Sequence, residues 1–172
     1  MKTELKEEIT TTFEQLHETI SLFTKEEINR IPFEASWTAG QVTRHIIKAT
    51  SGFPEVCDSN TKKLDQPADA KIAVLKEIFL NLDKKYDSPD FIYPERKEYN
   101  KTDLLSTLQM IKNEMLDIAL NYDLTLTCMD FEIPGIGNLT IYELLNFGVF
   151  HTQRHTYQLK KIYTALKNNP SH

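Results

Sequence analysis

Thr140-Ile141-Tyr142-Glu143-Leu144-Leu145-Asn146-Phe147-Gly148-Val149-Phe150-His151-Thr152-Gln153-Arg154-His155 opens the last long run of the chain and decides how it folds. Thr140 with Glu143 three residues on is a capping box: the Thr hydroxyl takes the Glu143 backbone N–H, and the Glu side chain reaches back. Ile141, Leu144, Gly148, His151, His155, Gln158, Ile162 and Leu166 then recur at helical spacing, so they share one face. The helix runs to about Lys167, where Lys160, Lys161 and Lys167 suit the negative end of its dipole.

Working outward, Thr38-Ala39-Gly40-Gln41 is a second capping box, followed by a stripe of Val42, His45, Ile46, Ala49 and Phe53 that Pro54 bounds. Leu5, Ile9, Phe13, Leu16, Ile20 and Phe23 place another helix over residues 3–23. A third is expected from Asp69 to Tyr86 on Ile72, Leu75, Ile78, Phe79 and Leu82. A fourth, capped by Thr102, reaches about Tyr122 on Leu108, Ile111, Met115 and Ile118. Residues 54–68, 87–100 and 123–138 read as loops, and no run of β alternation stands out. The expectation is an all-α, antiparallel helical bundle, a single domain over residues 1–172.

Composition narrows the function. Of 172 residues, 20 are Lys or Arg and 25 Asp or Glu, a formal charge of −5, which argues against a general nucleic-acid binder. Five Gly are too few for Gly-rich phosphate loops or a turn-dense β-sandwich. The first residues carry no apolar signal segment, and no stretch approaches the ~20 apolar residues of a membrane span. Cys57 and Cys128 stand alone, without Cys-x-x-Cys spacing, as reduced thiols do. A cytoplasmic protein with no membrane partner is expected.

The five His are therefore the main stock of chemistry. His151 and His155 are four apart and face the core side of the last helix, a common way for a helix to hold a transition metal. His45 lies on the core stripe of the second helix and can complete a three-His site with open positions for water or substrate. The same placement suits three core histidines bonded to backbone or Tyr, and periodicity does not show whether His45 meets the pair. Position 152 is Thr, so the His-Glu-x-x-His base of a metalloprotease is missing. No Glu-x-x-His pair on two helices supports a di-iron site. His17 sits at the edge of the first stripe, and His172 ends the chain.

The segment Trp37-Thr38-Ala39-Gly40-Gln41-Val42-Thr43-Arg44-His45 resembles the Trp-Ser/Thr…His segment of DinB-like proteins, a superfamily that includes the YfiT-type bundles. Residues 131–145, with Pro134, Gly135 and Leu139-Thr140, resemble its C-terminal entry, and His151-Thr152-Gln153-Arg154-His155 with Gln158 resembles its His pair. Residues 54–100 match only in being helical and polar. The resemblance implies a four-helix bundle with up-down-down-up connections and a divalent metal (zinc, nickel or a similar ion) on His45, His151 and His155. Homodimers are common among similar proteins. Some similar proteins are transferases or isomerases that use a low-molecular-weight thiol, mycothiol or bacillithiol.

Together these readings predict a metal-dependent enzyme, a thiol-dependent transferase or a hydrolase acting on a small molecule. The rival is a bundle that binds metal or ligand in a stress response without turnover. Gln158 is a candidate to orient a ligand or substrate, or a core amide. Trp37 lines the cavity mouth or staples the helix entry. Arg154 lies off the His face and reads as an ion-pair or interface residue. Gly148 leaves room for substrate or lets two helices approach. Tyr157 donates a hydrogen bond or packs, and Cys128 is a reactive or a buried thiol.

Overall fold

The computed structural model describes residues 1–168. The elements are α1 (Lys2–Ser21), α2 (Ala39–Thr50), α3 (Phe53–Asp58), β1 (Thr61–Lys63), α4 (Ile72–Phe79), α5 (Lys101–Asn121), β2 (Leu126–Ile133), β3 (Gly137–Thr140) and α6 (Ile141–Asn168). Helix α1 packs against α5 and α6, and α2 packs against α6 and α5. Leu5, Ile9, Leu16 and Ile20 of α1, Val42 and Ile46 of α2, and Ile111 and Met115 of α5 meet in one core with Leu144, Leu159 and Ile162 of α6. Full burial of each such aliphatic side chain stabilises by roughly 1.5–3 kcal/mol.

Both capping boxes form. Thr38 Oγ1 accepts from Gln41 N at 3.1 Å, and Gln41 Oε1 accepts from Thr38 N at 3.0 Å. Thr140 Oγ1 accepts from Glu143 N at 3.1 Å, and Glu143 Oε2 accepts from Thr140 N at 2.9 Å. Glu143 is fully buried, and its other oxygen accepts from Lys71 N at 2.6 Å at the entry to α4. One carboxylate thus ties two helix starts together. Thr140 adds a bond from its hydroxyl to Ala68 O at 2.6 Å.

Four expectations need correction. The protein is mostly helical, not all-α: β1, β2 and β3 form an antiparallel sheet in that order, with Thr61 opposite Cys128 and Ile133 opposite Gly137. The turn between β2 and β3 has Pro134 at its second position and Gly135 at φ 80°, closed by Ile136 N to Ile133 O at 2.9 Å, the residue types a type II turn demands. The ladder slips between Thr127 and Glu132, and the Asn138 amide there donates to the carbonyls of Cys128, Met129 and Phe131, satisfying backbone that the bulge leaves unpaired.

The expected third helix shrinks to the eight residues of α4, because Asn81 and Asp83 interrupt the pattern and little of 80–91 is buried. Pro54 does not stop a helix. It lies in the first turn of α3, where its missing N–H costs nothing. Helix α5 is capped by Asn100, not Thr102; Asn100 Oδ1 accepts from Thr102 N at 2.9 Å and Asp103 N at 3.2 Å. Among the described residues, no helix is long and apolar enough to cross a membrane.

Candidate metal centre

Helices α2 and α6 bring His45, His151 and His155 together. Each offers one nitrogen, and the three lie within 4.8 Å of one another. His45 Nε2 is 3.1 Å from His155 Nε2 and 3.1 Å from His151 Nε2. Such a cluster could hold a metal ion. His45 and His151 are only 3% and 4% exposed and His155 is half-buried, so the centre lies at the edge of the interior. His17 is exposed on α1, and His172 lies outside the described residues.

Hydrogen bonds settle where the protons sit. His45 Nδ1 is 2.9 Å from Ile92 O, and a carbonyl only accepts, so Nδ1 carries the proton and Nε2 a lone pair. His155 Nδ1 donates to Gln158 Oε1 at 2.8 Å, which leaves its Nε2 bare as well. Two lone pairs face each other across 3.1 Å with no proton between them. That arrangement calls for a cation. Burial argues against supplying it as a proton. Loss of hydration pushes the imidazoles of His45 and His151 below their usual range and His155 down to about 3. Nearby cations add to this, Lys48 on His45 and Arg154 on His151 and His155, and the clustered imidazoles resist a second proton.

The donor set fits a borderline-soft divalent ion. Two imidazoles bound at the ~2.0–2.1 Å of a Zn–N bond sit roughly 2.9–3.4 Å apart, and both pairs through His45 fall in that window. Metal-binding histidines usually donate their second N–H to a carbonyl or carboxylate, and His45 and His155 have such partners. Among the described residues His151 Nδ1 is buried without one.

The surroundings are aromatic. The Trp37 ring lies 5.2 Å from the His45 ring and 5.2 Å from Tyr93, and its Nε1 donates to Tyr93 Oη at 3.4 Å. Phe79 and Phe147 lie 6.0 and 5.5 Å from the His151 ring. The backing of His45 was not legible in the sequence: Ile92 O at 2.9 Å and Ser88 Oγ at 3.4 Å come from a segment read only as irregular. Pro89 was the available signal, because it opens the short turn that carries Ile92.

Several neighbours take other roles. Among the described residues Arg154 meets no carboxylate: Nη1 donates to Asn81 O at 2.8 Å, Nη2 donates to Lys84 O, and the guanidinium lies 5.4 Å from the Tyr86 ring. Tyr157 faces solvent under Lys161. Cys128 is buried on β2, not in a loop. Gly148 serves close packing. A Cβ there would sit 2.7 Å from Phe53 Cε2 and 3.0 Å from Met115 Cε. Overpacking costs about 1–3 kcal/mol and the gain in helix propensity returns at most about 1. Gly148→Ala is expected to lower the melting temperature by about 4 °C in a calorimetric scan. An unchanged melting temperature would show that Phe53 yields freely.

The DinB superfamily model matches residues 8–159, nearly the whole chain. The chain belongs to the DinB superfamily. No curated protein and no solved structure matches it. The DinB match spans all three histidines, Trp37 and Gln158, with α2 and the part of α6 that carries its two imidazoles.

Proposed function

We propose that this DinB-superfamily protein binds one divalent metal ion on His45, His151 and His155 and uses it as a transferase or hydrolase acting on a small molecule. The observation that carries the reading is the pair of bare Nε2 atoms held 3.1 Å apart inside the protein. A divalent ion there supplies Lewis acidity that lowers the pKa of a thiol or water at an open position. The chain's own residues prepare the place. Ile92 O and Gln158 Oε1 fix two imidazoles with Nε2 inward, and Phe79, Phe147 and Trp37 exclude water around them.

In this reading α1, α2, α5 and α6 make the up-down-down-up bundle of the family, and residues 1–172 act as one cytoplasmic domain, as a homodimer. Its partners are a small substrate and a low-molecular-weight thiol, not nucleic acid or membrane. Zinc or nickel suits three imidazoles best.

The test is metal analysis of protein purified without chelator, beside His45→Ala, His151→Ala and His155→Ala. Wild-type protein is expected to carry about one ion per chain and each variant far less. Wild-type metal content in all three variants would sink the proposal.

One observation favours a second reading, a binding module without turnover. The hydrogen-bond partners of the three imidazoles are one another, Ile92, Gln158 and Ser88, with no carboxylate among them to act as a base. Metal-dependent turnover of a thiol with electrophiles would exclude it.

A further inference from the structure

A small molecule has to reach a centre in which His45 and His151 are almost wholly buried and His155 is half-buried. Two surface grooves, one around Phe13 and Lys112 and one around Thr12 and Gln153, are lined by none of the three histidines. Helices α2 and α6, which carry the three imidazoles, are fixed in the core. Besides Trp37 ahead of α2, the centre is covered by the segment between α4 and α5. Its two ends touch the centre. Phe79, the last residue of α4, packs 6.0 Å from the His151 ring, and Ser88 Oγ lies 3.4 Å from His45 Nδ1.

The two halves of this cover are held very differently. From Ile92 onward the chain is anchored several times. Ile92 O receives His45 Nδ1, Lys48 Nζ donates to Tyr93 O at 2.8 Å, and Glu95 pairs with Arg44 at 3.1 Å and Lys48 at 3.2 Å. From residue 81 to 88 the chain is mostly exposed, and among the described residues it makes no backbone–backbone hydrogen bond. Its attachments are Ser88 at one end and Arg154, which grips Asn81 O, Lys84 O and the Tyr86 ring. A segment with few buried contacts and one anchoring side chain opens at low cost.

We propose that residues 80–88 form an access strap over the three-histidine centre and that Arg154 is the latch that holds it shut. The proposal rests on the reading of that centre as one a small molecule must enter. Arg154 sits beside His155 on α6, so the latch and the imidazoles share one rigid element. The strap swings between Phe79 and Pro89 while Ile92 stays in place to orient His45. Arg154 is a positioning residue, not a catalytic one.

The experiment uses metal-free full-length protein, so that it reads the strap even if no metal binds. Wild type, Arg154→Ala and Arg154→Lys are treated with trypsin, and cleavage after Lys84 and Lys85 is timed by mass spectrometry. In parallel, diethyl pyrocarbonate modification of His155 measures access to the centre. Both rates are expected to rise about tenfold or more in Arg154→Ala, with Arg154→Lys between, because one ammonium cannot span both carbonyls as the fork does. Arg154→Lys also keeps the test open should Arg154→Ala fail to fold. Unchanged cleavage in a folded variant overturns the latch. Faster cleavage with unchanged His155 modification overturns the strap as the access route. Failure of the metal reading appears separately, as wild-type protein that takes up no zinc.

Discussion

Glu143→Ala is expected to lower the melting temperature by about 10 °C. Both carboxylate oxygens are used inside the protein, one on Thr140 N and one on Lys71 N. Removing them strands two backbone donors, at about 1–3 kcal/mol each, and dismantles a capping box. A loss near 4 kcal/mol at about 2–4 °C per kcal/mol gives the expected shift. Glu143→Gln keeps one acceptor but turns an NH2 toward the second donor, so it should fall between the two. Equal melting of Glu143→Ala and wild type in a calorimetric scan would show that solvent replaces the carboxylate at both helix starts.

The second large effect is acid sensitivity of the metal-free protein. The three imidazoles are neutral when folded, because burial lowers their pKa, whereas in the unfolded chain they titrate near 6.5. Below that pH the unfolded state binds more protons, so stability rises with pH and is lost as pH falls. The stability is fully present above about 6.5. It declines through the window down to the folded values, which for His155 reaches about 3. His155 alone removes about 2 kcal/mol between pH 6.5 and 5, at about 1.4 kcal/mol per pH unit. His151 and His45 act in the same direction. Excess zinc at neutral pH should add about 2.7 kcal/mol at a hundred times its dissociation constant, a rise of roughly 5–10 °C, and the gain should shrink on acidification as protons compete. Denaturant melts at pH 7.5 and 5, with and without zinc, check both signs. A pH-independent stability of the apoprotein would mean that the histidines are already solvated.

The helical half of the fold was legible where local chemistry decided it. Both capping boxes and the stripes of α1, α2, α5 and α6 follow from side chains a few residues apart. The three imidazoles were legible as inward-facing, but their convergence on one point was a fact of packing that no periodicity contains. The sheet was missed although Met129-Asp130-Phe131-Glu132-Ile133 alternates with period two before Pro134-Gly135. Only five residues alternate, and the bulge at residues 127–132 interrupts the pairing, so the signal is short. The overextended third helix shows the converse. Leu82 and Tyr86 keep the helical spacing, yet they are 40% and 52% exposed and bury too little to hold the chain in a helix. The backing of His45 by Ile92 O comes from backbone 47 residues away, and a carbonyl leaves no mark in a sequence.

Strand β3 ends at Thr140, and α6 begins at the next residue, so strand and helix join without a linker. The sheet therefore acts as an angular reference for the long helix. Each residue advances an α-helix by about 100°, so one residue inserted between Thr140 and His151 would turn both imidazoles of α6 away from His45. A residue added in the turn at 134–136, on the far side of the strand pairing, would leave their bearing unchanged. The small sheet, which supplies no ring to the centre, is thus what clocks two of its three nitrogens.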